Sequence, residues 1–216
     1  MQGEEIISGC VITQDEEECI ERALNSINDF VEEIIVVDGG STDRTRELVL
    51  QYPKVKLFDI PFHPREGDRN DVQKNNAIER ASHPWILFMD ADEYYTPYVC
   101  QAARTIISPE YYKPPYDAYA FSRKTMVDGW FVNPLESDWH IRLFRNYCRY
   151  LGAFHEVVSG YGYSFYTNLD IIHEKKSAWQ QKDNERFWDR GQTPFPGWKK
   201  IDGKWVNTNE PINTTG

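Results

Sequence analysis

Glu33-Ile-Ile-Val-Val-Asp-Gly-Gly-Ser-Thr-Asp43 is the stretch on which the fold turns. Ile34 to Val37 are aliphatic without a break, and the absence of polar alternation is the mark of a strand covered on both faces. The run stops at Asp38; two glycines follow, and then Ser41 or Thr42 can cap a helix running through Leu48. A buried strand passing directly into a capped helix is one half of a βαβ unit.

The same grammar extends to both sides. Glu5 to Thr13 is a second near-continuous apolar run, and Ile20, Ala23, Leu24, Ile27 and Phe30 then recur at helical spacing. Val55 to Phe58 reads as a strand, about Asn70 to Ala81 as a helix, and Trp85 to Met89 as a fourth strand. Strands separated by helices of this length predict a mostly parallel sheet flanked by helices, an α/β fold. After about Cys100 the rhythm changes. Pro109 to Pro115 is a Pro/Tyr-rich break, followed by strand-like segments around Tyr119–Met126, Ile141–Phe144 and Leu169–Ile172, expected to form a small antiparallel region. Residues 1–175 are thus expected to form one domain, and 176–216 a C-terminal helix (around Glu185 to Arg190) with a Trp-rich tail. In that tail Lys200 to Trp205 sets Asp202-Gly203 where a two-residue hairpin turn would lie.

Composition narrows the function. The 216 residues carry 24 Lys and Arg against 34 Asp and Glu, a formal net charge of −10, which argues against a general nucleic-acid binder needing a basic stripe for phosphates. A nucleotide ligand stays open, because a bound metal can reverse the sign of a small acidic site. Seven Trp and thirteen Tyr suit sugar recognition and a well-filled core equally. The four cysteines form no Cys-x-x-Cys pair and read as reduced buried thiols. No apolar run approaches the ~20 residues that span a bilayer, and no secretory signal precedes the first strand, so the expected location is cytoplasmic.

Polar residues gather where the apolar runs end. Thr13-Gln-Asp-Glu-Glu17 follows the first strand, Asp38-Gly-Gly-Ser-Thr-Asp43 the second and Asp90-Ala-Asp-Glu93 the fourth. In an open parallel sheet ligands bind outside those carboxyl ends. If the strand stays extended through Asp92, Asp90 and Asp92 face one spot, and two oxygen anions there suit Mg²⁺ or Mn²⁺ with donor phosphates completing the shell. Asp38 could accept hydrogen bonds from a base or ribose, or simply belong to a capped turn.

These segments resemble those of family-two glycosyltransferases with the GT-A fold. The likeness rests on Ile7-Ser-Gly-Cys-Val-Ile-Thr-Gln-Asp-Glu-Glu17, on Glu33 to Thr45 and on Trp85 to Glu93. Lys74-Asn-Asn-Ala-Ile-Glu-Arg-Ala81 is similar to the helix that precedes the family's metal motif. Arg142-Leu-Phe-Arg-Asn146, with Gly152-Ala-Phe-His-Glu156, resembles a segment of the small bacterial lipopolysaccharide-core type. The resemblance implies a metal-dependent, inverting transfer from a nucleotide-sugar donor, UDP-sugar by prevalence, to a glycan-type acceptor. It would place Thr13, Glu16 or Glu17, Asp38 and Ser41 around the base and ribose, and Lys74 near the donor. Asp90 and Asp92 would contact ribose and metal. His173 matches a later histidine that ligates metal in some GT-A enzymes; a strand-end histidine facing water is the alternative. One carboxylate base should suffice, with Glu156 first and Asp138 second, although Glu156 could instead pair with Arg142 or Arg145. Trp179, Trp188, Trp198 and Trp205 read as packing anchors, or one of them as a sugar platform.

Other classes fit less well. The phosphate-loop pattern, Gly-x-Ser-x-Gly and His-Glu-x-x-His are all absent. A sugar-nucleotide nucleotidyltransferase would open with a Gly-rich basic loop where this chain has Gln-Asp-Glu-Glu-Glu. A non-catalytic nucleotide- or sugar-binding module would not need Asp38, Asp90 and Asp92 together.

Overall fold

The computed structural model describes residues 6–61, 70–108, 110–111, 116–132, 138–152, 156–175, 198–201 and 204–207. In chain order the first half runs β1 (Ile7–Thr13), α1 (Ile20–Ile27), β2 (Glu33–Asp38), α2 (Thr45–Val49), β3 (Val55–Asp59), α3 (Asn70–Arg80) and β4 (Trp85–Asp90). Then come β5 (Glu93–Tyr94), α4 (Pro97–Ile107), β6 (Tyr116–Val127), β7 (Trp130–Val132), β8 (Asp138–Arg145), β9 (Arg149–Leu151), β10 (Val157–Ser159) and β11 (Tyr163–Lys175). β12 (Trp198–Ile201) and β13 (Lys204–Asn207) follow. The chain divides into two compact units, Met1–Glu174 and Lys175–Gly216.

In the first unit one sheet has the order β3-β2-β1-β4-β8-β6-β11-β5, with β7 paired to β6. β1 to β4 pair in parallel, as the apolar runs of β1, β2 and β4 predict, with β3, which carries Lys56, at the half-exposed edge. The expected antiparallel region is present, formed by the strands of the second half. β8 pairs with β4 and β6 with β8, so they extend the same sheet. Side chains alternate between two apolar layers. Val11, Val36, Leu87 and Leu143 pack with α1, α2 and α4 on one side, while Cys10, Ile35, Phe88 and Phe144 pack with α3, Tyr150 and Val158 on the other. Gly9 allows α1 to lie close, because a Cβ there would come 2.8 Å from Ile27 Cδ1. All four cysteines are buried and unbridged. No helix among the described residues is long and apolar enough to cross a membrane.

α2 starts later than its sequence suggests. Neither Ser41 nor Thr42 caps it; the helix begins at Thr45, whose amide and hydroxyl both donate to Asp43 Oδ1. Ser41 is diverted because its hydroxyl donates to Asp38 instead. In the second unit β12 and β13 pair with Ile201 opposite Lys204, leaving two residues between them. Those two, Asp202 and Gly203, lie outside the described residues, as do the expected helix at Glu185–Arg190, Trp179 and Trp188.

At the amino ends of the strands Glu33 ties the sheet together. Its buried carboxylate accepts from Ser8 Oγ at 2.6 Å, the Ser82 amide at 2.6 Å and Lys56 Nζ at 2.6 Å. Burial alone would raise this carboxyl, but the Lys56, Ser8 and Ser82 hydrogen bonds overcome it and hold it at about 2, against an ordinary 4.5. The group therefore contributes stability that is complete above pH about 5 and is lost as pH falls from 4.5 through 2, by about 3 kcal/mol in all. Glu33→Gln is expected to cost about 2–3 kcal/mol at pH 7 and far less near pH 2. Denaturant unfolding at the two pH values measures the difference, and an equal cost at both would contradict it.

Candidate active site

Strand register assembles the site. Asp59, Asp38 and Thr13 lie side by side at the carboxyl ends of β3, β2 and β1, and Asp90 of β4 stands opposite Ile12. β2 and β4 flank β1, so the order reverses there, at the edge where α/β sheets take ligands.

The loops after β1 and β2 are laced to each other. Asp15 takes a left-handed conformation (φ 55°), its amide donates to Ser41 Oγ at 2.9 Å, and its Oδ1 accepts the Thr42 amide at 2.7 Å. The Glu16 amide donates to Thr45 Oγ1, and Glu17 exchanges bonds with Asp43 and the Arg44 amide. Asp38, fully buried, accepts from the Gly40 and Ser41 amides at 3.2 and 2.9 Å and from the Ser41 hydroxyl. In this arrangement Asp38, Ser41 and Glu17 make their hydrogen bonds within and between the two loops. The Glu16 carboxylate accepts from Cys19 Sγ at 2.9 Å. Thr13 differs: its hydroxyl oxygen is buried without a hydrogen-bond partner, an orphan that a ligand group could satisfy.

Asp90 is the hub. Its Oδ2 accepts from Arg142 Nη2 at 2.9 Å. Its Oδ1 is 3.3 Å from Lys74 Nζ, an ion pair whose angles fall short of a hydrogen bond. Burial would raise the Asp90 carboxyl, but the Lys74 and Arg142 charges hold it well below the usual carboxylate range. Lys74, on α3, also stands 3.6 Å from Glu156 Oε2, with its ammonium 5.0 Å from the Tyr150 ring centre. Burial would lower Lys74, yet Asp90 foremost among its neighbours raises it. The salt-bridge alternative for Glu156 therefore has a different partner. Arg142 is taken by Asp90 and Glu93, and Arg145 lies over the Trp85 ring at 4.0 Å.

Asp92 and His173 form a second centre. β4 ends at Asp90, Ala91 turns into the core and Asp92 lies in a turn, so the extended Asp-x-Asp geometry is not what is found. Asp92 instead faces the carboxyl end of β11, where its Oδ2 is 2.8 Å from His173 Nε2. The far ring nitrogen, Nδ1, is 3.5 Å from Thr125 Oγ1. His173 is buried, not a water-facing strand-end residue. Among the described residues no three His, Cys, Asp or Glu side chains gather as a ready-made metal cluster. Asp138 stands apart at the exposed start of β8, donated to by Arg123 at 2.6 Å and 3.1 Å from His140 Nε2. Against the effect of burial, His140 and Arg123 hold its carboxyl low; burial first, then the Arg142 and Arg123 charges, depress His140 to about 4. Sequence reasoning gave no role to Glu93 or Tyr150, which pair with Arg142 inside the site.

The sheet and its acidic edge define the class, a GT-A-type α/β domain. The chain belongs to glycosyl transferase family 2, which its residues 8–164 match, and is by that membership a glycosyltransferase domain. It is 36% identical over 89 residues to the SPbeta prophage-derived glycosyltransferase SunS of Bacillus subtilis, covering 40% of this chain and 20% of that protein. A TPR repeat-containing protein of Synechococcus elongatus is 40% identical over 87 residues, covering 40% and 20%. The chain thus spans about a fifth of the length of these curated relatives. Among solved structures, glucosyl-3-phosphoglycerate synthase from Mycobacterium tuberculosis with Mn²⁺, UDP and glucosyl-3-phosphoglycerate gives a TM-score of 0.55 at 16% identity, over 94% of this chain and 87% of that one. TarS from S. aureus in complex with UDP-GlcNAc gives 0.53 at 18%, over 79% and 58%. These two likenesses concern the fold.

Proposed function

We propose that this domain transfers a sugar, with inversion, from a nucleotide-diphosphate sugar, UDP-sugar first, to a hydroxyl of a glycan, lipid-linked or protein acceptor. The observation that carries the reading is the sheet edge where Thr13 lies in register with Asp38 and Asp90 stands opposite Ile12, with Lys74 joining Asp90 to Glu156 beside it. The mycobacterial neighbour is solved with UDP and TarS with UDP-GlcNAc, which makes a uridine donor the first to try.

A divalent metal fits the residues present. Asp92 and His173 offer one carboxylate and one imidazole 2.8 Å apart, while Asp90, two residues before, has its Oδ1 facing Lys74 at 3.3 Å. Mg²⁺ and Mn²⁺ are commonly held by one or two carboxylates plus substrate phosphates, and the imidazole favours Mn²⁺. Bound there, the ion would neutralise charge on the departing diphosphate. The chain's own groups do the rest. Thr13 offers its hydroxyl to base or ribose, and the laced loops keep the pocket wall rigid. Glu156 takes the proton from the acceptor hydroxyl as that oxygen bonds the anomeric carbon and the carbon–phosphate-oxygen bond breaks. Lys74 orients Glu156. Asp138, tied to Arg123 and His140 with its carboxyl held low, is the poorer proton acceptor. Buried, unbridged cysteines suit a cytoplasmic setting.

UDP release from a panel of UDP-sugars with glycan acceptors tests the reading. Turnover should require Mn²⁺ and cease with EDTA, and His173→Ala should raise the Mn²⁺ needed by about tenfold or more. Turnover indifferent to EDTA would remove the metal from the account. A chain that turns over no nucleotide sugar would overturn the whole reading.

A further inference from the structure

β8 parts from both neighbours at one residue. Against β6 the register passes from Tyr119 opposite Leu143 to Ala120 opposite Ile141, so Arg142 is an extra residue with no opposite number, a β-bulge. Against β4 the pairing ends with Leu87 opposite Leu143, just before the same residue. Arg142 is thereby released beside the carboxyl end of β4, its guanidinium 5.8 Å from the Phe88 ring centre and almost wholly buried. One nitrogen, Nη2, donates to Asp90 Oδ2 at 2.9 Å and to Glu93 Oε1 at 2.7 Å, while Nη1 reaches the Tyr150 hydroxyl at 3.4 Å. The other Glu93 oxygen accepts the Asp90 amide at 3.2 Å. A closed ring results, from the Asp90 amide through Glu93 and Arg142 back to the Asp90 carboxylate. It encloses the four-residue turn whose third member is Asp92.

A buried arginine between two carboxylates is a weak source of stability, because well-packed apolar residues often do as well; what it supplies here is geometry. We propose that Arg142 and Glu93 are positioning residues that fix the Asp90–Glu93 turn so that Asp92 faces His173. They would thus govern chiefly the manganese-dependent part of donor binding, and the Asp90 side of the pocket only secondarily, because Arg142 also holds Asp90 Oδ2. This rests on the nucleotide and metal reading above.

The test uses the full chain, with UDP affinity measured by calorimetry with and without Mn²⁺ in wild type, Glu93→Gln and Arg142→Lys. Amide exchange at residues 90–93 is followed in the absence of nucleotide. Both variants should lose about tenfold of the Mn²⁺-dependent gain in UDP affinity, as outer-shell partners of metal ligands do, and distinctly less of the metal-free affinity, since of the donor-site groups they touch Asp90 alone. Arg142→Lys should retain part of the gain, since an ammonium lacks the fork that serves two carboxylates. Protection of the Asp90 amide should fall in both. Equal losses with and without Mn²⁺, tracking a lower melting temperature, would make the ring merely structural and overturn the proposal. So would an unchanged Mn²⁺ dependence. If wild type binds no UDP, the functional reading has failed instead; unchanged protection of the Asp90 amide in the variants then overturns the ring's hold on the turn independently.

Discussion

Lys74→Met is expected to cost about 3–5 kcal/mol of stability and to remove measurable donor binding, because it strips one partner from buried ion pairs. Lys74 is buried between Asp90 Oδ1 at 3.3 Å and Glu156 Oε2 at 3.6 Å. Without the ammonium, Asp90 retains Arg142 alone at its other oxygen, and Glu156 loses this cation. Methionine keeps the length of the side chain and suits the Phe88 and Tyr150 rings now 5.4 and 5.0 Å from the ammonium, so the loss reports charge and not volume. For a domain of this size the melting temperature should fall by about 6–20 °C, readily followed by circular dichroism. An unchanged melting temperature with donor binding intact would mean that the Asp90–Lys74–Glu156 chain carries neither fold nor site.

Glu156→Gln should separate chemistry from binding. Removing a general base costs typically about 10²–10⁴ in rate, while the amide keeps the side chain's shape. Turnover should fall by that factor, with UDP affinity held to within about twofold, since the lost proton acceptor belongs to the acceptor half of the reaction. Asp138→Asn should lower turnover by less than about tenfold, because its carboxylate is half exposed and already engaged by Arg123 and His140. Steady-state rates on one donor and acceptor pair decide between them. A large loss for Asp138→Asn and a small one for Glu156→Gln would transfer the base to Asp138.

The parallel half of the sheet was legible because burial on both faces leaves a local signature. Ile34–Val37 and Trp85–Met89 could hardly be anything else, and Asp38 and Asp90 mark their ends. The antiparallel half was legible only as strands. Periodicity says which residues share a face but not which neighbour they pair with, so nothing in Ile141-Arg-Leu143 announces a bulge; Arg142 reads as an ordinary alternating position. The same limit applies to Asp92 and His173: the resemblance named each for the metal, but spacing along the chain could not show that they touch, 81 residues apart and brought together where β11 pairs with β5. Asp90-Ala-Asp92 misled in detail for a further reason. The i, i+2 rule holds only while the chain stays extended, and here β4 stops at Asp90 so that Ala91 can bury in the core. Proximity along the chain favoured Arg142 or Arg145 as partners of Glu156, yet tertiary packing supplied Lys74 from α3.

The proposed metal-assisted nucleotide-diphosphate site lies where β1, β2 and β4 end. Calorimetric titration of UDP into the wild-type chain, with Mn²⁺ and then with EDTA, tests it most directly. Saturable one-to-one binding with Mn²⁺ is expected, weakening by about tenfold or more when the metal is removed. Absence of UDP, GDP and dTDP binding in the presence of Mn²⁺ would contradict it.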